Sequence, residues 1–471
     1  MATPNTHYGA ERIGAMLQDA KSIFFIGIGG INMSSLAHLT HRAGLRVGGS
    51  DRTKSALTER LEREGIEIIY EHKKENVEFY DAVVYTVAIS PDNGEYLRAK
   101  ERGIPCISRA DYLGYLMTGY CRRIGISGMH GKSSCTSMCA QTLLTAGADP
   151  TVLSGAELRS MGGAYCLGGK ENFVFEACEY MDSFLDFNPN IAVILNIEMD
   201  HVDYFHSMEQ IRTSFLKYAQ KTGKDGFAVV NGDDDEVAKA LSDYEGTVVR
   251  FGIENGECDY FAKNASCERG RWSFDLVEHG EMLCRVRLSV VGYHQIYNAL
   301  ATAAVGRLCG LSGEEIARGL AEFSGAKRRM ERKGSMQGAE VYDDYGHHPT
   351  EIRATLSGAR AIPAEGGRLF CVYQPHTYSR TAALLDDFTE AFGDADRVLF
   401  VDIYAARETD TLGVSSKLLA ERVGERASYA GSVANAAEML RGELREGDAA
   451  IIMGAGNIDR IFNELQKDIK E

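Results

Sequence analysis

The feature that most constrains this chain is the run G-I-S-G-M-H-G-K-S-S, Gly125–Ser134, set between an apolar strand pattern at Arg122–Ser127 and a helical pattern from about Ser133 to Leu144. A strand that ends in glycines and turns straight into a helix points the first helical N–H groups at open space, which makes an anion cradle. Lys132 reaches the outer phosphates of a bound nucleotide and the Ser133 hydroxyl can ligate Mg²⁺, so ATP is the expected ligand. The spacing is G-x-x-G-x-x-G-K-S, because Ile126 stands where a standard phosphate loop has its first glycine. An ordinary strand-to-helix turn is the plain alternative, and Lys132 argues against it.

The same strand-turn-helix logic begins twice more. Ser22 to Ile28 reads as a strand entering Gly27, Gly29 and Gly30, followed by a helix through Ser35 to Ala43, with Leu45–Gly48 and Ala82–Tyr85 as further strands. After the basic cluster A-K-R-R-M-E-R-K-G, the run Glu340–Asp344 restarts the alternation, and Arg368–Tyr373, Arg397–Val401 and Ala449–Met453 continue it. Between these beginnings, Phe173–Ala177, Ile191–Ile197 and Phe227–Asn231 read as buried strands, Thr247–Leu288 as an antiparallel insert or edge, and Tyr293–Leu308 as a long Ala-rich helix. At 471 residues the chain is expected to hold about three domains. The expected fold is α/β with a Rossmann-like N-terminal domain at 1–118, a central P-loop ATPase-type domain at 119–325 and a C-terminal Rossmann-like domain at 326–471.

Composition narrows the partners. A net charge of −16 repels a nucleic-acid backbone and an anionic membrane, so an anionic ligand must be met by local groups. The opening M-A-T-P-N-T-H-Y-G-A-E-R has no signal-peptide pattern and no apolar stretch approaches about 18 residues, so a cytoplasmic protein is expected. Eleven scattered cysteines without C-x-x-C pairs read as reduced thiols.

Several strand ends carry chemistry-bearing side chains. G-I-G-G-I-N, Gly27–Asn32, with Asp51 downstream, suits a nicotinamide dinucleotide, another nucleotide or a plain turn about equally. In F-E-A-C-E-Y-M-D-S-F, Glu176 and Glu179 are candidate Mg²⁺ ligands, and N-I-E-M-D-H puts His201 at the same rim; solvated or capping roles are the bland alternative. Y-D-D-Y-G-H-H-P packs acid, aromatic and imidazole groups into one turn, where Asp344 is a plausible cap for the helix beginning at Thr350. Q-P-H-T-Y-S-R-T adds His376 and Arg380, and the arginine can hold a carboxylate bidentately. Lys327, Arg328 and Arg329 are either a solvated linker face or a source of an arginine for the γ-phosphate.

Taken in order, these motifs resemble those of the Mur ligase family along nearly the whole chain: F-I-G-I-G-G-I-N-M-S, G-x-x-G-x-x-G-K-S, E-A-C-E-Y, N-I-E-M-D-H, G-Y-H-Q-I-Y-N-A-L-A, R-R-M-E, D-D-Y-G-H-H-P-T-E and Q-P-H-T-Y-S-R-T. The resemblance implies a ligase that uses ATP and Mg²⁺ to join L-alanine to UDP-N-acetylmuramic acid through an acyl phosphate, acting as a monomer or homodimer. It implies that Gly27, Gly29, Gly30, Ile31, Asn32, Met33, Ser34, Ser50 and Asp51 hold the UDP-sugar, and that Gly128, Met129, His130, Gly131, Lys132, Ser133 and Ser134 hold ATP. His294 and Asn298 would flank the adenine, Arg329 and Asp344 would touch the nucleotide, and Ser133, Glu176 and His201 would bind the metal. Tyr345, His347, His376 and Arg380 would meet the alanine, with Lys132, Glu176, His201, Arg329 and His347 serving catalysis. The family commonly has Thr for Ser133, Asn for Gln295, E-A-D-E-S-D for E-A-C-E-Y-M and Arg for Thr377. Cys178 and Met181 thus remove two acids. The rival readings are a ligase that attaches a murein tripeptide to the same UDP-sugar, and a nicotinamide-dependent dehydrogenase.

Overall fold

In a computed structural model, residues 3–201, 204–406, 408–409 and 412–470 are described. The chain divides into two compact units, residues 1–258 with 301–311, and residues 259–300 with 312–471. No helix among the described residues is long and apolar enough to cross a membrane.

The first unit holds two sheets. Five parallel strands run in the order Glu67–Ile69, Arg46–Ser50, Ser22–Ile26, Ala82–Tyr85, Cys106–Ser108. The middle strand Ser22–Ile26 is buried along its whole length, which is why its sequence shows no alternation. The second sheet runs Gly163–Cys166, Thr151–Leu158, Asn172–Glu176, Arg122–Ser127, Ile191–Ile194, Phe227–Asn231, Thr247–Gly252, with only the first of these strands antiparallel to its neighbour. Thr247–Gly252 was expected in an antiparallel segment and instead pairs parallel with Phe227–Asn231. Its first four residues are exposed or partly exposed, so it lacks the continuous apolar run of a fully buried parallel strand.

The second unit opens with the expected antiparallel meander, Tyr260–Glu268, Arg271–Glu278 and Glu281–Val291. Its other sheet runs Glu331–Met336, Ala339–Asp344, Ala449–Met453, Leu369–Tyr373, Arg397–Val401, Ala427–Gly431, antiparallel only at the first pair. Mainly parallel sheets with helices between their strands make this an α/β fold. Because Ala449–Met453 lies between Ala339–Asp344 and Leu369–Tyr373, the carboxyl ends of all three strands open side by side, where ligands of such sheets gather.

Candidate active site

The phosphate loop grows from the fourth strand of the seven. Arg122–Ser127 ends in a turn at Gly128 and Gly131, whose φ angles of +134° and +84° favour glycine. A Cβ at Gly128 would lie 3.0 Å from Leu195 Cβ, so the loop presses on the neighbouring strand end. There Asn196 clasps it: Met129 N–H donates to Asn196 O (3.2 Å), His130 N–H to Asn196 Oδ1 (2.8 Å), and Asn196 Nδ2 donates back to His130 O (3.0 Å). His130 also pairs with Glu198. The helix Lys132–Thr145 starts with no side-chain cap, which leaves its N-terminal dipole open to an anion.

Lys132 Nζ donates to Gly128 O (2.6 Å), Met129 O (3.0 Å) and Glu179 (3.0 Å). Glu179 is fully buried and also meets His201 Nε2 at 3.2 Å. Burial alone would lower the Lys132 ammonium, but Glu179, Cys178 and Glu176 outweigh it and hold the lysine above its usual value. Burial would likewise raise Glu179, and Lys132 and His201 hold it below the usual carboxylate range. Both directions describe one ion pair at neutral pH. Glu176, at the end of its strand, accepts the Gly155 N–H (3.0 Å) and reaches Lys132 only electrostatically. Ser133 and Ser134 are buried in the first turn of the helix.

At the N-terminal glycine turn, Gly27 and Ile28 N–H groups donate to Ser50 O (2.8 and 3.0 Å), and Gly29 N–H donates to Asp51 Oδ2 (2.8 Å). Asp51 therefore shapes the turn itself. Ile31 and Asn32 are exposed, whereas Met33 and Ser34 are buried and Ser34 Oγ donates to Ile31 O. The fully buried Ser50 hydroxyl donates to Glu95 (2.8 Å), whose carboxylate also takes His72 and Asn76 (both 2.7 Å). Its backbone carbonyl, not its hydroxyl, faces the glycine turn.

In the second unit, Asp344 accepts the N–H groups of Met330 and Gly346, both at 2.8 Å. It does not cap the following helix, as the sequence suggested; His348 does, accepting the Thr350 N–H ahead of Pro349 while Glu351 takes the His347 and His348 N–H groups. Four rings then form a row, Tyr345–His347–His376–Tyr404, with centroids 5.6, 5.7 and 5.7 Å apart. Arg328 and Arg329 sit over Tyr345 at 5.2 and 5.1 Å, and Arg380 Nη1 lies 3.4 Å from His376 Nδ1. Burial pushes His347 down to about 4 and lowers His376, so both imidazoles are neutral at pH 7. His294, also pushed down by burial to about 4, lies 3.1 Å from the Gln295 amide, which in turn accepts from Asn298 (3.0 Å).

Two features here escaped the sequence reading. Tyr404 stacks on His376 through a strand-like bridge, and G-A-G-N, Gly454–Asn457, follows the strand between the two rims. The guanidinium of Arg328 donates to Gly454 O (2.5 Å) and Gly456 O (3.4 Å), and a Cβ at Gly456 would fall 2.6 Å from Tyr404 Cβ. The available signal for this loop was the pair of glycines straight after the apolar run Ala449–Met453.

Comparison with known proteins agrees with this geometry. Residues 22–120 match the Mur ligase family catalytic domain, 126–306 the Mur ligase middle domain and 328–456 the Mur ligase glutamate ligase domain. A UDP-N-acetylmuramate–L-alanine ligase of Clostridium novyi is 44% identical over 94% of this chain and 96% of its own length. The UDP-N-acetylmuramate-alanine ligase of Thermotoga maritima superposes with a TM-score of 0.78 at 27% identity, covering 95% of this chain and 99% of that one. A murein peptide ligase of Psychrobacter arcticus shares the fold, with a TM-score of 0.67 at 24% identity over 95% of this chain and 98% of that one. The chain belongs to the Mur ligase family.

Proposed function

We propose that this ligase joins L-alanine to the lactyl carboxylate of UDP-N-acetylmuramic acid at the expense of ATP, in the cytoplasm, as a step in building peptidoglycan precursors. The observation that carries the reading is the triad of Lys132 and His201 on the buried Glu179, beside an uncapped glycine loop, in a chain that matches alanine-adding relatives nearly end to end. The domain limits proposed are 1–118, 119–325 and 326–471.

The residues present fit ATP and Mg²⁺. The helix that starts at Lys132 offers an N-terminus without a side-chain cap, Lys132 adds an ammonium, and Ser133, Glu176 and His201 would offer a largely oxygen donor set of the kind a hard cation accepts. When bound, Mg²⁺ would neutralise phosphate charge. In the proposed reaction the lactyl carboxylate takes the terminal phosphoryl group, the alanine amine attacks the resulting acyl phosphate, and phosphate leaves. Lys132 offsets the charge that builds on the transferred group, and Arg329 is assigned to the same task. His294 and Asn298 are assigned to the adenine, and Asp344 to the nucleotide through Met330 and Arg329, which it orients. The nine residues from Gly27 to Asp51 named above are assigned to the UDP-sugar, with Ser50 acting through its backbone. Arg380 is assigned to the alanine carboxylate; Tyr345, His347 and His376 line its approach, and the neutral histidines can accept hydrogen bonds from the ammonium.

Phosphate release from ATP and Mg²⁺, with UDP-N-acetylmuramate and L-alanine omitted in turn, tests the proposal. Release that needs both, with a product heavier by one alanine residue, supports it. Release that ignores alanine and answers to a murein tripeptide would transfer the assignment to the tripeptide-adding reaction, and a substrate-dependent change in NADH absorbance would revive a dehydrogenase.

A further inference from the structure

Glu179 and His201 come from separate loops, yet Glu179 must meet both His201 and Lys132 for the triad to exist. The loop after Glu179 is strained: Met181 and Asp182 both occupy the left-handed region, with φ of 53° and 54°, and neither is glycine. His201 occupies it too, with φ of 50°. Non-glycine residues stay in this region only where their surroundings hold them there.

Asp182 supplies the hold. One carboxylate oxygen accepts the Tyr204 hydroxyl at 2.7 Å and the other accepts the hydroxyl of Ser214, a buried residue of the helix Met208–Gln220. The backbone links on the two sides mirror each other. Asp182 N–H donates to Glu179 O (2.9 Å), and Tyr204 N–H donates to His201 O (2.8 Å). Glu179 and His201 are thus each tied by a backbone bond to one end of the Asp182–Tyr204 hydrogen bond. Tyr180 closes the gap, its ring 4.8 Å from His201 and 6.3 Å from Tyr204.

We propose that Asp182 is a positioning residue, whose carboxylate bridge to Tyr204 and Ser214 sets Glu179 and His201 at hydrogen-bond distance from each other, with Glu179 held on Lys132. The proposal rests on the reading that this triad serves ATP. Met181 carries no carboxylate, and the acid that makes the clamp is the next residue, Asp182.

The test compares Asp182→Asn, Tyr204→Phe and their combination with the unaltered full chain. Asp182→Asn should lower kcat about 10- to 100-fold, the scale on which small misplacements of catalytic groups act, while leaving the KM for L-alanine within about twofold. Tyr204→Phe should lose about 3- to 10-fold, and the combination should cost little more than Asp182→Asn alone, because both remove one link. A fluorescent ATP analogue, titrated without the other substrates, should bind at least about fivefold more weakly to Asp182→Asn, which tests the clamp without turnover. An Asp182→Asn enzyme with wild-type kcat and wild-type nucleotide affinity would overturn the proposal, as would additive losses in the combination. If Asp182→Asn fails to fold, Tyr204→Phe still decides the matter, since it removes one oxygen atom only. A wild-type chain that binds the analogue but releases no alanine-dependent phosphate would count against the proposed function and leave the binding comparison to judge the clamp.

Discussion

The two strand-end rims occupy the same kind of place in their sheets and solve opposite problems. In the first unit, Lys132, Glu179 and His201 keep charge in a buried site by pairing it. In the second, the row from Tyr345 to Tyr404 strips charge away, with two histidines held neutral by burial and cations only at its flanks. A buried ion pair is ready to receive phosphate, since a further anion exchanges one partner of the lysine for another. A neutral aromatic row suits a small zwitterion, which needs one cation for its carboxylate and acceptors for its amine.

The largest break in this contrast is Lys132→Ala. Losing the lysine of the triad leaves Glu179 buried beside one histidine, so kcat should fall at least about 10³-fold, some 4 kcal/mol of barrier. The affinity for the UDP-sugar should hold within about twofold by equilibrium titration, and normal turnover would dispose of the loop assignment.

A proton titration sharpens the other side. His294 and His347 titrate near 4 in the folded chain, below the ordinary 6.5. As pH falls, the unfolded chain takes up these protons first. Each imidazole therefore contributes stability that is full above about 6.5 and is lost as pH approaches 4, up to about 3 kcal/mol apiece. Thermal unfolding of wild type should show a falling midpoint across that window, and His347→Gln should flatten the slope. An unchanged slope would mean that His347 takes up its proton at the same pH folded as unfolded.

Much of this contrast was readable beforehand, and its limits are physical. Arg122–Ser127, Ala82–Tyr85, Arg397–Val401 and Ala449–Met453 emerge with the expected bounds because a strand buried on both faces is a continuous apolar run. Short strands such as Cys106–Ser108 and the edge Glu331–Met336 carry no such run. Lys132 and His201 stand in compact motifs, whereas the partnership of Tyr404 with His376 depends on the packing of distant strand ends. The cap at His348 was misread because an acid is the common cap, while Pro349 at the first helical turn makes its predecessor the capping position whatever its type.

Arg380→Ala should break the second rim next. Removing the guanidinium proposed for the alanine carboxylate should raise the KM for alanine about 10- to 50-fold while moving the KM for ATP no more than about twofold. Equal effects on both would take Arg380 out of the amino-acid site.

The smallest expected effect discriminates best between two views of the ring row. If the row is a support for His376, Tyr404 acts through its ring alone, because its hydroxyl bonds nothing among the described residues and its face stacks on the imidazole at 21°. Tyr404→Phe should then be silent within about twofold. Tyr404→Ala should forfeit one ring contact, roughly 0.5–1.5 kcal/mol, and raise the KM for alanine about 2- to 10-fold with kcat little changed. A loss from Tyr404→Ala as large as that from Arg380→Ala would make Tyr404 part of the surface that touches the amino acid, and the neutral row would then be a binding wall along its full length.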